Sequence, residues 1–264
     1  MHLSGITLFP VKSLGGIDVD AWDLDELGLA WDRRWMVVDE SGRFLTQRQL
    51  PAMARVRPRL DPGGHLTLTH PRLPPLAVPE PGPEAQTRPV TVWGDTVPAL
   101  SLGAEADAWL GEALGRPCHL VRLPEGTARA VDPDYTPGAR TAFTDGFPLL
   151  LIGEGSLADL NARLDQPVPM RRFRPNLVVA GAEPFAEDQW RRIRIGDVTL
   201  RVVKPCSRCI VTTVDPDRGE VAGQEPLRTL ATYRLRDHKI YFGQNLVHEG
   251  PGRLRVGDPV TVLE

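Results

Sequence analysis

The hydrophobic positions of this chain fall into short runs, and most of them have a period of two. Leu3 to Phe9 is the first such run. Ile17, Val19 and Ala21 then alternate with Asp18 and Asp20, the pattern of a strand with one buried face. Gly28 to Trp35 leads into Met36-Val37-Val38, Ser41-Gly42 turns the chain, and Phe44-Leu45-Thr46 returns, so 34–47 reads as a hairpin. Ala54 to Leu60, His65 to His70 and Val90 to Trp93 are further short strands. Pro62-Gly63-Gly64 marks a turn among them, and the proline-rich run Pro71 to Pro83 reads as an irregular surface loop. Helical spacing first occurs between Gly103 and Gly115. There Trp109, Leu110, Ala113 and Leu114 share a face, Gly115 suits the C′ position and Pro117 bars continuation.

A cluster of Pro and Gly near 122–135 predicts a soft boundary, either a linker or a site loop. Beyond it lie apolar strands at Leu149 to Ile152 and Leu177 to Ala180. Ser156 with Asp159 forms an N-cap pair for a short helix to Leu164. Ile193 to Ile195 and Val198 to Val203 flank Gly196-Asp197 as a hairpin. Pro226 to Tyr233 suits a short helix, and Ile240 to Asn245 and Leu254 to Leu263 are closing strands. Strands far outnumber helices, so the chain predicts a β-rich, barrel-like α+β architecture in two parts.

Composition narrows this little. The 264 residues are 41% apolar and 25% charged, with a net charge of -3, so no basic field calls for nucleic acid. Three cysteines are too few for a disulfide scaffold and fit an intracellular setting. The start of the chain has no basic, apolar leader pattern, and no apolar run reaches the roughly 20 residues that span a membrane.

Two of the cysteines stand as Cys206-x-x-Cys209, with Arg208 between them and Lys204 just before. Neighbouring cations favour thiolate over thiol. The β-branched segment Ile210 to Val214 reads as a buried strand, with the cysteines where it begins, and Asp215-Pro216-Asp217-Arg218-Gly219 as a turn. Four chemistries compete. Structural zinc wants four ligands, and the remaining Cys118 and six unpaired histidines do not supply them. A thioredoxin-like dithiol wants a helix start. Two plain core cysteines are the bland reading. A single soft thiolate ligand to a transition metal is the fourth.

Read in order, Pro10-Val11-Lys12-Ser13, Asp32-Arg33-Arg34-Trp35, Phe143-Thr144-Asp145-Gly146-Phe147-Pro148, Ser156 to Asn161, Phe173-Arg174-Pro175-Asn176 and Cys206 to Asp217 resemble the MOSC family with its N-terminal β-barrel partner domain. The resemblance covers nearly the whole chain and is nearest to the amidoxime-reducing branch. It implies an N-terminal β-barrel domain over 1–122 and a MOSC domain over 123–264.

The resemblance also implies a molybdenum cofactor, Mo-molybdopterin, with Cys209 as metal ligand and catalytic cysteine. It assigns cofactor contacts to Lys12, Ser13, Arg33, the Asp145-Gly146-Phe147 loop, Arg174, Asn176, Ser207 and Arg208. Taken singly, Lys12 and Arg33 read as surface charge; as part of this set they place a ligand at the junction of the two parts. Lys and Arg suit a phosphate, Asn176 and the loop backbone suit a pterin edge, and Arg208 beside Cys209 is expected to keep that sulfur ionised. Asp145 and Asp215 are candidates for a proton donor only by proximity, and Asp215 reads first as a turn former.

The implied activity is reduction of small N-hydroxylated compounds, independent of pyridoxal phosphate. With no cysteine after Cys209, the chain is expected to hold no iron–sulfur cluster. Electrons would then come from a separate donor, a ferredoxin, flavodoxin, cytochrome b5-like protein or flavin reductase. A soluble, bacterial-type, cytoplasmic protein with no membrane or nucleic-acid partner is the accompanying expectation. The rival reading is a carrier that holds persulfide sulfur on Cys209.

Overall fold

A strand with one apolar face must lay it on a core, and the chain builds four such cores around its sheets. The computed structural model describes residues 1–61, 63–82 and 84–264; Pro62 of the expected turn and Pro83 of the proline-rich run lie outside the described residues. The architecture is strand-rich, with three α-helices among the described residues.

The first part holds two small sheets. Trp35–Val38, His119–Arg122, Asp95–Ser101 and Thr87–Val92 form one, in that order. Arg57–Leu60, Leu66–His70 and Leu73–Ala77 form the other. The helix Ala104–Leu114 seals the second core with Ala106, Leu110, Ala113 and Leu114 and ends on Gly115 at φ 69°, the left-handed C-terminal residue its sequence called for.

The second part is organised on a nine-stranded sheet. The chain's first strand, His2–Leu8, belongs to it, pairing antiparallel with Leu177–Ala180 so that Ile6 faces Leu177. Leu149–Gly153 pairs with the other edge of Leu177–Ala180 in parallel, Leu151 facing Leu177. These two registers determine the site. They bring the end of the first strand, the start of Leu177–Ala180 and the start of Leu149–Gly153 to one edge. The loops carrying Lys12, Arg174 and Asp145 therefore meet there.

Several local expectations are corrected. The cysteines do not begin a strand. Cys206 lies near the end of one, Val198–Arg208, Cys209 just follows it, and Ile210–Thr213 is a single 3-10 turn with Ile210 exposed. Its β-branched residues fit that turn because Thr212 and Thr213 bond back to the carbonyls of Cys209 and Ile210. The 34–47 hairpin reduces to one bridge between Val38 and Phe44, since Trp35–Val38 finds a longer partner in His119–Arg122. Pro51–Arg55 is a 3-10 turn ahead of the strand at Arg57. The proline-rich run contains the strand Leu73–Ala77, where Pro74 and Pro75 are tolerated because that strand lies at a sheet edge. Leu254 to Leu263 is two strands in different sheets, Gly252–Arg255 and Val260–Val262.

Candidate functional site

The loop after the first strand is pinned from both sides of Lys12. Val11 and Leu14 are fully buried in a core of the first part, and Ser13 between them takes a left-handed backbone at φ 66°. The loop before Leu149 is held likewise, by Phe143 buried against Met36, Val38 and Phe44. Each loop is anchored in the first part while its strand lies in the second, so the site between them is held from both sides.

Lys12 is 3% exposed. Its Nζ donates to the Phe143 carbonyl at 2.8 Å and lies 2.5 Å from Asp145 Oδ1. Burial pushes the ammonium down to about 8, against the pull of Asp145. Desolvation in the cleft raises the Asp145 carboxyl, but Lys12, Arg48 and Arg33 outweigh it and hold the group well below the usual carboxylate range. Those three cations favour the charged form of Asp145. Asp215 is also held low, chiefly by the Arg218 and Asp217 amides that its carboxylate ties into a turn.

Phe9 lies between two guanidinium groups. Arg33 stacks 4.4 Å and Arg174 4.1 Å from its ring centroid. Arg33 also pairs with buried Asp32 and donates to Asn176 Oδ1 at 3.1 Å. Asn176 is 2% exposed and its amide is already engaged, donating to the Thr7 carbonyl and Asp32 and accepting from Leu150 as well as Arg33. Its role within the chain is to hold Arg33. Arg174 donates to the Leu14 carbonyl at 2.7 Å; burial, with Arg33 next, pushes its guanidinium down to about 9.

Lys12, Ser13, Arg33, Asp145, Gly146, Phe147, Arg174, Asn176, Ser207, Arg208 and Cys209, the residues singled out from the sequence, all line one cleft of about 370 Å³. Arg48, Trp93, Phe173, Cys206 and Asn245 line it too. Arg48 was missed because Gln47-Arg48-Gln49 reads as a polar surface; it stacks on Trp93 at 4.7 Å and reaches Asp145 at 3.6 Å. Backbone strain marks the same place. Ser13, Arg33, Trp93 and Arg174 are four of the eight non-glycine residues with positive φ among the described residues, and all four line the cleft.

Arg208 Nη1 donates to the Cys206 sulfur at 3.0 Å and Nη2 to the Phe173 carbonyl at 2.6 Å, so its hydrogen bonds go to Cys206 and Phe173. Its Nε is buried without a partner. Lys204 turns instead onto the Tyr135 ring.

Family models match in two consecutive segments, the MOSC N-terminal beta barrel domain over residues 1–117 and the MOSC domain over residues 138–261. A human protein, mitochondrial amidoxime-reducing component 1, is 37% identical over 97% of this chain and 81% of its own length. The chain belongs to the MOSC family. Another MOSC relative, molybdenum cofactor sulfurase of rice, is 35% identical over 94% of this chain but only 33% of its own length. The crystal structure of the YUAD protein from Bacillus subtilis aligns over 98% of the chain with a TM-score of 0.46 and 11% identity. No helix among the described residues is long and apolar enough to cross a membrane.

Proposed function

We propose that the cleft holds a molybdenum cofactor and that this MOSC protein reduces N-hydroxylated compounds, amidoximes and hydroxylamines among them, by N–O cleavage. The observation that carries the reading is charge. Lys12, Arg33, Arg48, Arg174 and Arg208 converge on a cleft whose carboxylates are Asp145 and the Asp32 behind Arg33. Guanidinium groups crowded out of water want an anion. Arg174, pushed down to about 9, and the unpartnered Nε of Arg208 both register that want. A pterin dithiolene with a terminal phosphate is such a ligand, and the half-exposed Cys209 is a matched soft donor for its metal.

In this reading Lys12, Ser13 and Arg33 hold the phosphate. The backbone of Asp145-Gly146-Phe147 and Ser207 border the pterin, with Arg174 and Arg208 balancing its charge. Asn176 keeps Arg33 in place. The cofactor supplies two-electron reduction when bound. A separate redox protein delivers the electrons.

The second reading, a carrier of persulfide sulfur on Cys209, is favoured by the sulfurase name of the rice relative. Molybdenum and pterin content of protein purified from a cofactor-producing host separates the two. Near-stoichiometric metal with turnover of benzamidoxime under an artificial reductant supports the reductase. Metal-free protein carrying labile sulfane sulfur supports the carrier and rules the reductase out.

A further inference from the structure

A second recess, of about 550 Å³, opens across the Asp145–Phe147 loop from the first. It shares Asp145, Gly146, Phe147, Cys206, Ser207 and Asn245 with the cofactor cleft, so a molecule seated there touches the same cysteine-bearing strand end. The Lys204 ammonium lies 3.9 Å from the Tyr135 ring centroid and 5.7 Å from that of Phe147. The two rings meet edge to face at 6.0 Å. Among the described residues no carboxylate and no hydrogen-bond acceptor engages that ammonium. The other cation of the recess, Arg129, and the carboxylates Asp95 and Asp145 are in ion pairs. Arg129 pairs with Asp95 at 2.7 Å and donates to the Thr144 carbonyl. Asp145 pairs with Lys12 and Arg48, and Asp132 accepts from the Asp134 amide in its own turn.

The backbone shows why Lys204 stands there. Val198–Arg208 pairs with Lys239–His248 through two compensating register shifts. Val202 faces Leu246, but Lys204 faces Asn245, so one extra residue is inserted just before the lysine. Without it Lys204 would share a face with buried Gln244. The bulge turns the lysine to the Asn245 side, and Asn245 lines both recesses. A second shift, between Pro205 and Ser207, restores the original register.

We propose that this recess is the substrate site and that Lys204 selects N-hydroxylated substrates carrying an anionic group, a carboxylate or a phosphate, with the planar part of the substrate against Phe147. An ammonium held beside two aromatic rings, and lacking an anion of its own, gains a charge-assisted hydrogen bond from such a group. The identity of the reacting group rests on the reductase reading; the recess and its free ammonium do not.

The test compares benzamidoxime with 4-carboxybenzamidoxime and 4-(phosphonooxy)benzamidoxime in wild type, Lys204→Gln and Lys204→Arg. Binding of the unreactive pair benzamide and 4-carbamoylbenzoate is measured by calorimetry beside it. Wild type is expected to favour an anionic probe by about tenfold in kcat/KM, carried by KM, and to show the same preference in binding. Lys204→Gln loses the preference and Lys204→Arg keeps it. The carboxylate and phosphate probes identify which anion is read. Equal treatment of charged and neutral probes by wild type, or a preference that survives Lys204→Gln, overturns the assignment. Benzamidoxime turnover without charge preference removes this proposal and leaves the reductase standing. Lys204-dependent binding of 4-carbamoylbenzoate without turnover of any amidoxime removes the reductase and leaves the recess.

Discussion

The Arg208 guanidinium donates to the Cys206 sulfur over 3.0 Å, and that contact separates the roles of the two cysteines. Cys206 is held by a cation, whereas Cys209 follows the last residue of the strand; both line the cleft. Replacing Cys209 with Ala is expected to abolish both molybdenum retention and N-reduction. Cys206→Ala costs Arg208 one acceptor and lowers turnover by no more than about tenfold. Metal analysis and benzamidoxime kinetics on both variants check this. Comparable loss in the two would remove the single-ligand assignment.

Lys12 gives the protein an unusual pH dependence. Its folded pKa, about 8, lies below the unfolded value of 10.5. Between those values the folded chain binds fewer protons than the unfolded one, so this group makes stability rise with pH across the window. Below about pH 8 the lysine is charged in both states and its burial cost is constant. Urea midpoints for wild type and Lys12→Met at pH 7.5 and pH 10 measure the effect. Wild type should gain about 2 kcal/mol on the variant between the two. The anion affinity of the cleft should move the opposite way and weaken above about pH 8. A constant stability gap would show that Lys12 keeps an ordinary pKa.

Gly243 sits at the second register shift with φ 82°. A Cβ there would lie 2.6 Å from Ile152 Cγ1 and 2.9 Å from the Leu151 carbonyl. Gly243→Ala combines left-handed strain with overpacking and is expected to cost at least about 2 kcal/mol. A chemical-denaturation curve within about 0.5 kcal/mol of wild type would contradict that geometry.

Period-two patterning gave the strand-rich class, helical spacing with a terminal Gly115 gave the helix, and turn residues gave the hairpin at Gly196, because each rests on local burial or turn chemistry. The register that joins His2–Leu8 to Leu177–Ala180 was not legible, since nothing local specifies a partner 170 or so residues away. The cleft residues were recovered through ordered motifs rather than through any physical signal in single positions. Arg48 belonged to no motif and was lost. The turn after Cys209 was misread because β-branched residues favour strands only when a partner strand is present, and at Ile210 there is none among the described residues.

The cap of the helix Glu154–Asn161 shows the same limit and gives the last test. Ser156 and Asp159 read as a local N-cap pair, but the N-cap residue is Gly153 and neither side chain caps the helix. Glu187, fully buried, arrives from a distant turn and accepts from the Gly153 amide at 3.0 Å and from Ser156 Oγ at 2.7 Å. A carboxylate at a helix N-terminus is stabilised by the amide dipoles that face it. Ser156 also accepts from the Phe185 amide at 2.8 Å, so it ties the helix to the Glu187 turn. Asp159 instead pairs with Arg163 one turn on, at 2.9 Å. Ser156→Ala strands a buried carboxylate oxygen and an amide, and should cost about 1–3 kcal/mol. Asp159→Ala removes a half-exposed i,i+4 pair and should cost about 0.5 kcal/mol. A local cap would make the two losses comparable, so equal shifts in the urea midpoint would restore it and remove Glu187 from the role.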